Sequence, residues 1–409
     1  MTERDERGAQ MNRNASNPAV KANTAGTVRR EGRTATAGLA SAALLLATLL
    51  PWPLISPAAE APAVGTLETV AELPINPGNL SVTEDGRVFA TVHQFRPAEA
   101  RLIEITGRDT YRPWPNAAWN AGFGSGPDVL NAPLGIQIDS KDRLWVIDNG
   151  LGPEPQAPKL VAFSLDTGEV VFRHNFPPET GPVGSFLNDL AVDAQRGFVY
   201  IADVGANTDS AIDPAIVVVD LAANRSRRFT ASDTLAAEDV DLVVEGRVLG
   251  PRDADGKLDP ARIALNPITL SADGETLYFG AMNGTNWYAV PARLLRDGAD
   301  DETVAAAIQR VGPKPVSDGA STDKAGNHYF TDLGNNAITV LRADGNLETL
   351  VQDDRLLWPD ALSFGEPGWL YIAVNQLHRS PPLNGGVEAA EPPFLIMRVY
   401  AGSEGVPGR

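Results

Sequence analysis

The chain has 409 residues, no cysteine, and 52 acidic against 34 basic side chains, for a formal net charge of −18. Without cysteine there is no disulfide framework, thiolate metal centre or Cys nucleophile, and the acid excess argues against a nucleic-acid partner. Four histidines (His93, His174, His328, His378) would be nearly exhausted by one three-His metal site, while 38 Gly and 32 Pro favour many short strands over long helices.

Residues 1–61 read as a leader. Residues 1–37 are polar, with Arg29, Arg30 and Arg33 just ahead of an apolar run from Gly38 to Leu50. That run is too short for a bilayer span of about 20 residues but suits a secretory signal followed by small residues. The expectation is a secreted or periplasmic protein, with residues 62–409 as one domain and no membrane association once the leader is removed.

After a strand at 66–73 (TLETVAEL), one phrase recurs six times: an Asx or small residue, an alternating strand, a turn with Asp or Gly, and a second strand bearing an aromatic. The copies occupy 79–92, 134–150, 188–205, 266–284, 317–335 and 359–376, with Phe89, Trp145, Tyr200, Tyr278, Tyr329 and Tyr371 as marker aromatics. Each reads as a β-hairpin by its period-2 alternation. One or two further strands follow each copy, so the units predict an all-β, six-bladed β-propeller. The sixth unit stops after its third strand (394–402), and ring closure by residues 66–73 would cover its open edge. The marker aromatics are expected in the core between blades. Two long connections, 108–131 and 230–262, stand out; Trp114 and Trp119 in the first either line a pocket mouth or pack on neighbouring blades.

Propeller geometry brings the starts of all inner strands to one mouth. The two positions before each strand's apolar stretch read Gly78-Asn79, Leu134-Gly135, Asn188-Asp189, Asn266-Pro267, Ser317-Asp318 and Pro359-Asp360. A second ring, after each second strand, holds His93, Asn149, Asp203, Asn283, Asn335 with Asn336, and Asn375 with His378. The convergence predicts a polar site for a small ligand, with Asn79, Asn188, Asp189, Asn266, Asp318, Asn335, Asp360 and Asn375 as binding residues. No nucleophile elbow, HExxH motif or phosphate loop is present. Asp318 and His378 are the candidate catalytic groups, Asp318 and Asp360 forming a carboxylate pair in which one pKa is raised.

These residues resemble the major royal jelly protein/yellow family of six-bladed propellers. The resemblance rests on FLNDLAVD (186–193) with VYIADVG (199–205), NPITLSADGETLYFGAM (266–282), SDG (317–319) with NHYFTDLGNNAI (327–338), and WPDALSF (358–364) with NQLHRSPPLNGGVE (375–388). It covers residues 66–402 and looks like a bacterial exported member. It implies a channel site for an aromatic, catechol-derived or amine ligand, with dopachrome-type tautomerase activity or with binding alone, and no cofactor. A wider resemblance to calcium-dependent lactonases of the gluconolactonase type implies instead a metal held by Asn188 and Asp318. There the usual carboxylate of the first blade is replaced by Asn79, which weakens a calcium site.

Overall fold

Short runs of β-branched and aromatic residues, each broken by an Asp-Gly or similar turn, leave the chain little choice but consecutive antiparallel strands. The computed structural model describes residues 61–123, 126–205 and 212–409. The expected leader, 1–61, lies almost entirely outside the described residues. Six four-stranded antiparallel sheets follow one another along the chain. Blade 1 is built from Pro77–Val82, Val88–Val92, Leu102–Ile105 and Tyr111–Pro113, so the first long connection contains that blade's outer strand. The inner strands of blades 2 to 6 are Pro133–Ile138, Leu187–Asp193, Leu265–Leu270, Ala320–Thr322 and Pro359–Phe364.

Blade 6 closes as the sequence predicts. Its outer strand is Leu67–Leu73, paired antiparallel with Phe394–Tyr400 in a register that sets Leu67 against Val399 and Leu73 against Phe394. No helix among the described residues is long and apolar enough to cross a membrane.

The core is a set of separate seams between neighbouring blades. Ile136, Val146 and Phe163 of blade 2 meet Phe89 and Leu102 of blade 1, for example, and Tyr200 and Ile216 of blade 3 meet Ile268 and Phe279 of blade 4. Five marker aromatics are buried in these seams, each worth about 2–3 kcal/mol of apolar burial. Tyr278 is only half-buried, against His328. Three of the buried ones reach a polar partner on their own hairpin: Trp145 donates to Asp139 (2.7 Å), Tyr329 to Asp323 (3.0 Å) and Tyr371 to Glu366 (2.6 Å). Trp114 and Trp119 pack edge-on against Phe163, and Trp114 also against Phe89, which places them in the seam between blades 1 and 2 and away from any pocket mouth.

The second long connection leaves the outer strand of blade 3 and carries a small hairpin, Val243–Val244 with Arg247–Val248. Leu242, Val244 and Leu249 bury against Trp358, Leu377 and Leu383, and a bridge joins Gly250 to Asn384. This insertion therefore docks on the loop that follows the second strand of blade 6.

Candidate ligand site at the channel mouth

Five inner strands share one irregularity. In blades 1, 2, 3, 4 and 6 the pairing register slips after the strand's first residue, so that two residues face one on the neighbouring strand. The doubled positions are 78–79, 134–135, 188–189, 266–267 and 360–361; the first four are the pairs picked out by the repeat, and in blade 6 the bulge lies one residue beyond the aligned Pro359-Asp360 and still includes Asp360. Blade 5 achieves the same with backbone: Asp318 and Gly319 both donate their N–H to Thr331 Oγ1, at 3.0 Å each. A β-bulge re-aims side chains, and a ring of them turns these Asx residues into the channel. Close approach at the axis demands glycine twice. A Cβ on Gly135 would stand 2.1 Å from the Asn188 carbonyl oxygen, and one on Gly319 2.4 Å from that of Asp360.

The ring side chains are wired to one another. Asn79 donates to Asp189 (2.6 Å), Asn188 to Asn266, and Asn266 to Asp318 Oδ1 (2.7 Å). Trp358 Nε1 donates to the other oxygen of Asp318 at 2.7 Å, and Asn375 to Asp360. Trp358 is held at φ 62, an unusual conformation for so bulky a side chain, which aims its indole at the ring.

Above this floor lies a cavity of about 320 Å³. Asn188, Asn266, Asp318 and Asp360 supply its polar base, while Phe95, Phe186, Trp358, Met282, Ile263 and Leu377 supply apolar walls. The volume suits a ligand of one or two rings. His93 completes the lining. Its Nδ1 accepts the Phe95 N–H (3.3 Å), so the ring proton sits on Nε2; burial, reinforced by Arg96, pulls its pKa down to about 3 and keeps it neutral.

Three carboxylates share the channel: Asp189, Asp318 and Asp360. Burial pushes Asp318 up to about 6, despite hydrogen bonds from Trp358, Asn266 and Asn188. Burial also raises Asp360, helped by the charges of Asp318 and Asp189, and raises Asp189, helped by Asp318. Asp189 keeps some access to water-sized molecules along the channel although protein surrounds it on every side. Among the described residues no Lys or Arg bonds to any of the three.

The second ring mostly builds the rim. Asn149 clamps the backbone of Leu187 through both N–H (2.8 Å) and C=O (3.0 Å), and Asn283 holds Ile263 and Val240 in the same way. Asp203 is consumed by Ser185, Gly205 and Arg228. Asn375 acts behind Asp360, while Asn335 is exposed and bonded to Asp332. His378 does not line the cavity. It stacks on Trp358 (6.0 Å, 10° between planes), its Nε2 meets Glu245 of the inserted hairpin at 2.9 Å, and burial lowers its pKa to about 4. The apolar walls escaped the sequence reading, for which Phe95, Phe186 and Leu377 look like ordinary loop residues; Trp358, next to Asp360, was the one visible hint.

The donor set does not assemble a metal shell. Asp318 gives both oxygens to N–H donors, Asn266 Oδ1 accepts from Asn188, and the described residues hold no cluster of three acidic or imidazole groups that could hold a metal ion. Calcium takes six to eight oxygens.

The family model described as major royal jelly protein matches residues 132–384, most of the propeller including the floor from Asn188 to Asp360. The chain belongs to this family. Major royal jelly protein 6 of Apis mellifera is 34% identical over 104 residues, 22% of this chain and 23% of that protein. Major royal jelly protein 1 of the same organism is 23% identical over 299 residues, 66% of this chain and 64% of its own length. In the shorter matches this chain spans 22–29% of the relative's length. Among solved structures, a luciferin-regenerating enzyme superposes with a TM-score of 0.51 at 11% identity, covering 84% of this chain and 98% of that one, a likeness of fold alone.

Proposed function

We propose that this royal jelly-type propeller binds a small aromatic amine at the channel mouth, its ammonium group on Asp318 and Asp360 and its ring between Phe95, Phe186 and Trp358. The observation that carries the reading is three desolvated carboxylates sharing the channel, none of them bonded to a cationic side chain among the described residues. Unpaired buried charge is costly, so an empty channel holds protons on these groups and an arriving cation replaces them. A carboxyl with a pKa of about 6 exchanges protons readily at neutral pH, and the same floor is therefore able to shuttle a proton on a catechol-derived ligand, as a dopachrome-type tautomerase requires. His378, outside the cavity, would act on such a ligand only through Trp358 and the rim.

Quenching of tryptophan fluorescence by tyramine and dopamine, set against uncharged 4-ethylphenol, tests the reading. The amines should bind more tightly, and better at pH 7.5 than at pH 5, where fewer carboxylates are ionised. Asp360→Asn should weaken the amines by about 10- to 100-fold, the worth of one charged hydrogen bond, and leave 4-ethylphenol unchanged. Equal affinity for charged and uncharged ligands would sink the proposal.

A further inference from the structure

On the perimeter of the ring, where the outer strands of blades 2 and 3 meet, a second cluster of reactive side chains stands apart from the channel. His174 lies on the outer strand of blade 2 (Val170–Asn175) and is 5% exposed. Ser226 lies on the outer strand of blade 3 (Arg225–Phe229), and Asn224 in the turn that precedes it. The Asn224 amide donates to the Arg173 carbonyl (3.3 Å), which turns its Oδ1 toward His174 Nδ1, 2.9 Å away. Nδ1 must then carry the ring proton, and Nε2 is left as an acceptor. Ser226 Oγ sits 2.9 Å from Nε2 and donates to it. Thr180 Oγ1 lies 2.6 Å from Ser226 Oγ on the other side, its one proton shared between Ser226 and the Pro177 carbonyl at 3.4 Å.

The chain Ser226–His174–Asn224 has the spacing and donor order of a nucleophile, its base and the group that orients the base. It opens on solvent: Ser226 is half-buried and lines a shallow groove with Arg173, Asn175, Pro177 and Arg225. Arg225 is exposed, and its guanidinium has no partner among the described residues.

We propose that Ser226 is an acyl-accepting nucleophile toward small carboxylic esters, with His174 as its base and Asn224 as the positioning residue. Ser226 Oγ adds to the ester carbonyl as its proton passes to His174 Nε2. The C–O bond to the alcohol breaks, the alcohol leaves with that proton, and an acyl-serine remains. Water then attacks the acyl-serine by the same route, His174 taking its proton and returning it to Ser226 as the carboxylic acid departs. Asn224 keeps Nδ1 protonated throughout.

The test uses the full chain with a fluorophosphonate probe, mapped by peptide mass spectrometry, and p-nitrophenyl acetate hydrolysis alongside. The folded protein should carry the label on Ser226, and the urea-unfolded protein should not. Ser226→Ala should abolish it, and His174→Gln should slow it by about 100-fold or more. Asn224→Leu should slow labelling while Asn224→Asp, which keeps the acceptor, restores it; a packing role alone would not separate those two. Melting midpoints of all variants show whether each is folded, and rates are compared only among those that are. A folded wild type unlabelled at Ser226, or labelling as fast in folded His174→Gln, overturns the assignment. Loss of the label only in variants that unfold leaves the wild-type label and the Asn224 pair to decide it.

Discussion

Replacing Asp318 by asparagine should reveal the charge state of the channel floor through stability alone. Asp318 accepts N–H groups on both oxygens, Asn266 on one and Trp358 on the other. An amide has a single acceptor oxygen, so the variant leaves a buried donor unpaired, at a cost of about 1–3 kcal/mol that does not depend on pH. Against it runs an effect that does. Burial raises the Asp318 carboxyl from the usual 3.8 to about 6, so the folded state favours the neutral form. The stability this contributes is fully present below the unfolded value and is lost as pH rises through about 6. That loss is about 3 kcal/mol, and the asparagine variant escapes it. The variant should therefore be the less stable protein at pH 4 and match or exceed the wild type at pH 8. Urea unfolding at pH 4, 6 and 8, followed by tryptophan fluorescence, measures the gap. The difference between the two proteins is the quantity to read. His93, His328 and His378 have lowered pKa values, so their contribution is present above the unfolded value and is lost on acidification, in both proteins alike. A gap of the same size at all three pH values would refute the reasoning.

Three other outcomes are expected. Glu245→Ala removes the bonds from the inserted hairpin to His378 and Arg379, and should speed proteolytic cleavage around residues 243–248 while lowering the melting midpoint by about 2–4 °C. Deleting residues 1–73 exposes the edge of Phe394–Tyr400, and the product should be insoluble or aggregated on size-exclusion chromatography; a soluble monomer would deny the closing strand its role. Excess calcium and excess chelator should give melting midpoints within about 1 °C of each other, whereas a calcium shift abolished by Asn188→Ala would mean that the ring reorganises into a metal site.

The architecture was legible because a propeller repeats its local signals. Six hairpins with alternating patterning, an orphan strand ahead of the first and a last unit one strand short, allow a single economical ring, and the pairing of Leu67 with Val399 bears it out. The ring of Asx residues could be aligned for the same reason. What the alignment could not contain was the bulge that turns Asn188 and Asp360 inward, because a bulge is a relation between two strands and not a pattern within one. The cavity walls were hidden for another reason. Phe95, Phe186 and Leu377 come from non-repeating loops, and only the docked insertion and the second-ring clamps decide where those loops lie. Trp114 and Trp119 show the converse: a conspicuous tryptophan pair in a long connection proved to fill a seam. His378 sits where chain position implied, near the mouth, but its stacking on Trp358 and bond to Glu245 turn it away from the cavity.

The closing strand also sets an order of assembly. Blades 1 to 5 are each made of strands that follow one another in the chain, so each can form as soon as its own residues are available. Blade 6 instead needs Leu67–Leu73, the earliest strand of the ring, to wait for Phe394–Tyr400, the last; contacts of that separation form late. Trp358 and Asp360 belong to this final blade. The floor of the site thus draws on the last blade to be synthesised, and a chain arrested before residue 358 would hold five blades but lack Trp358 and Asp360. Ligand capture is in this sense a proof of finished folding.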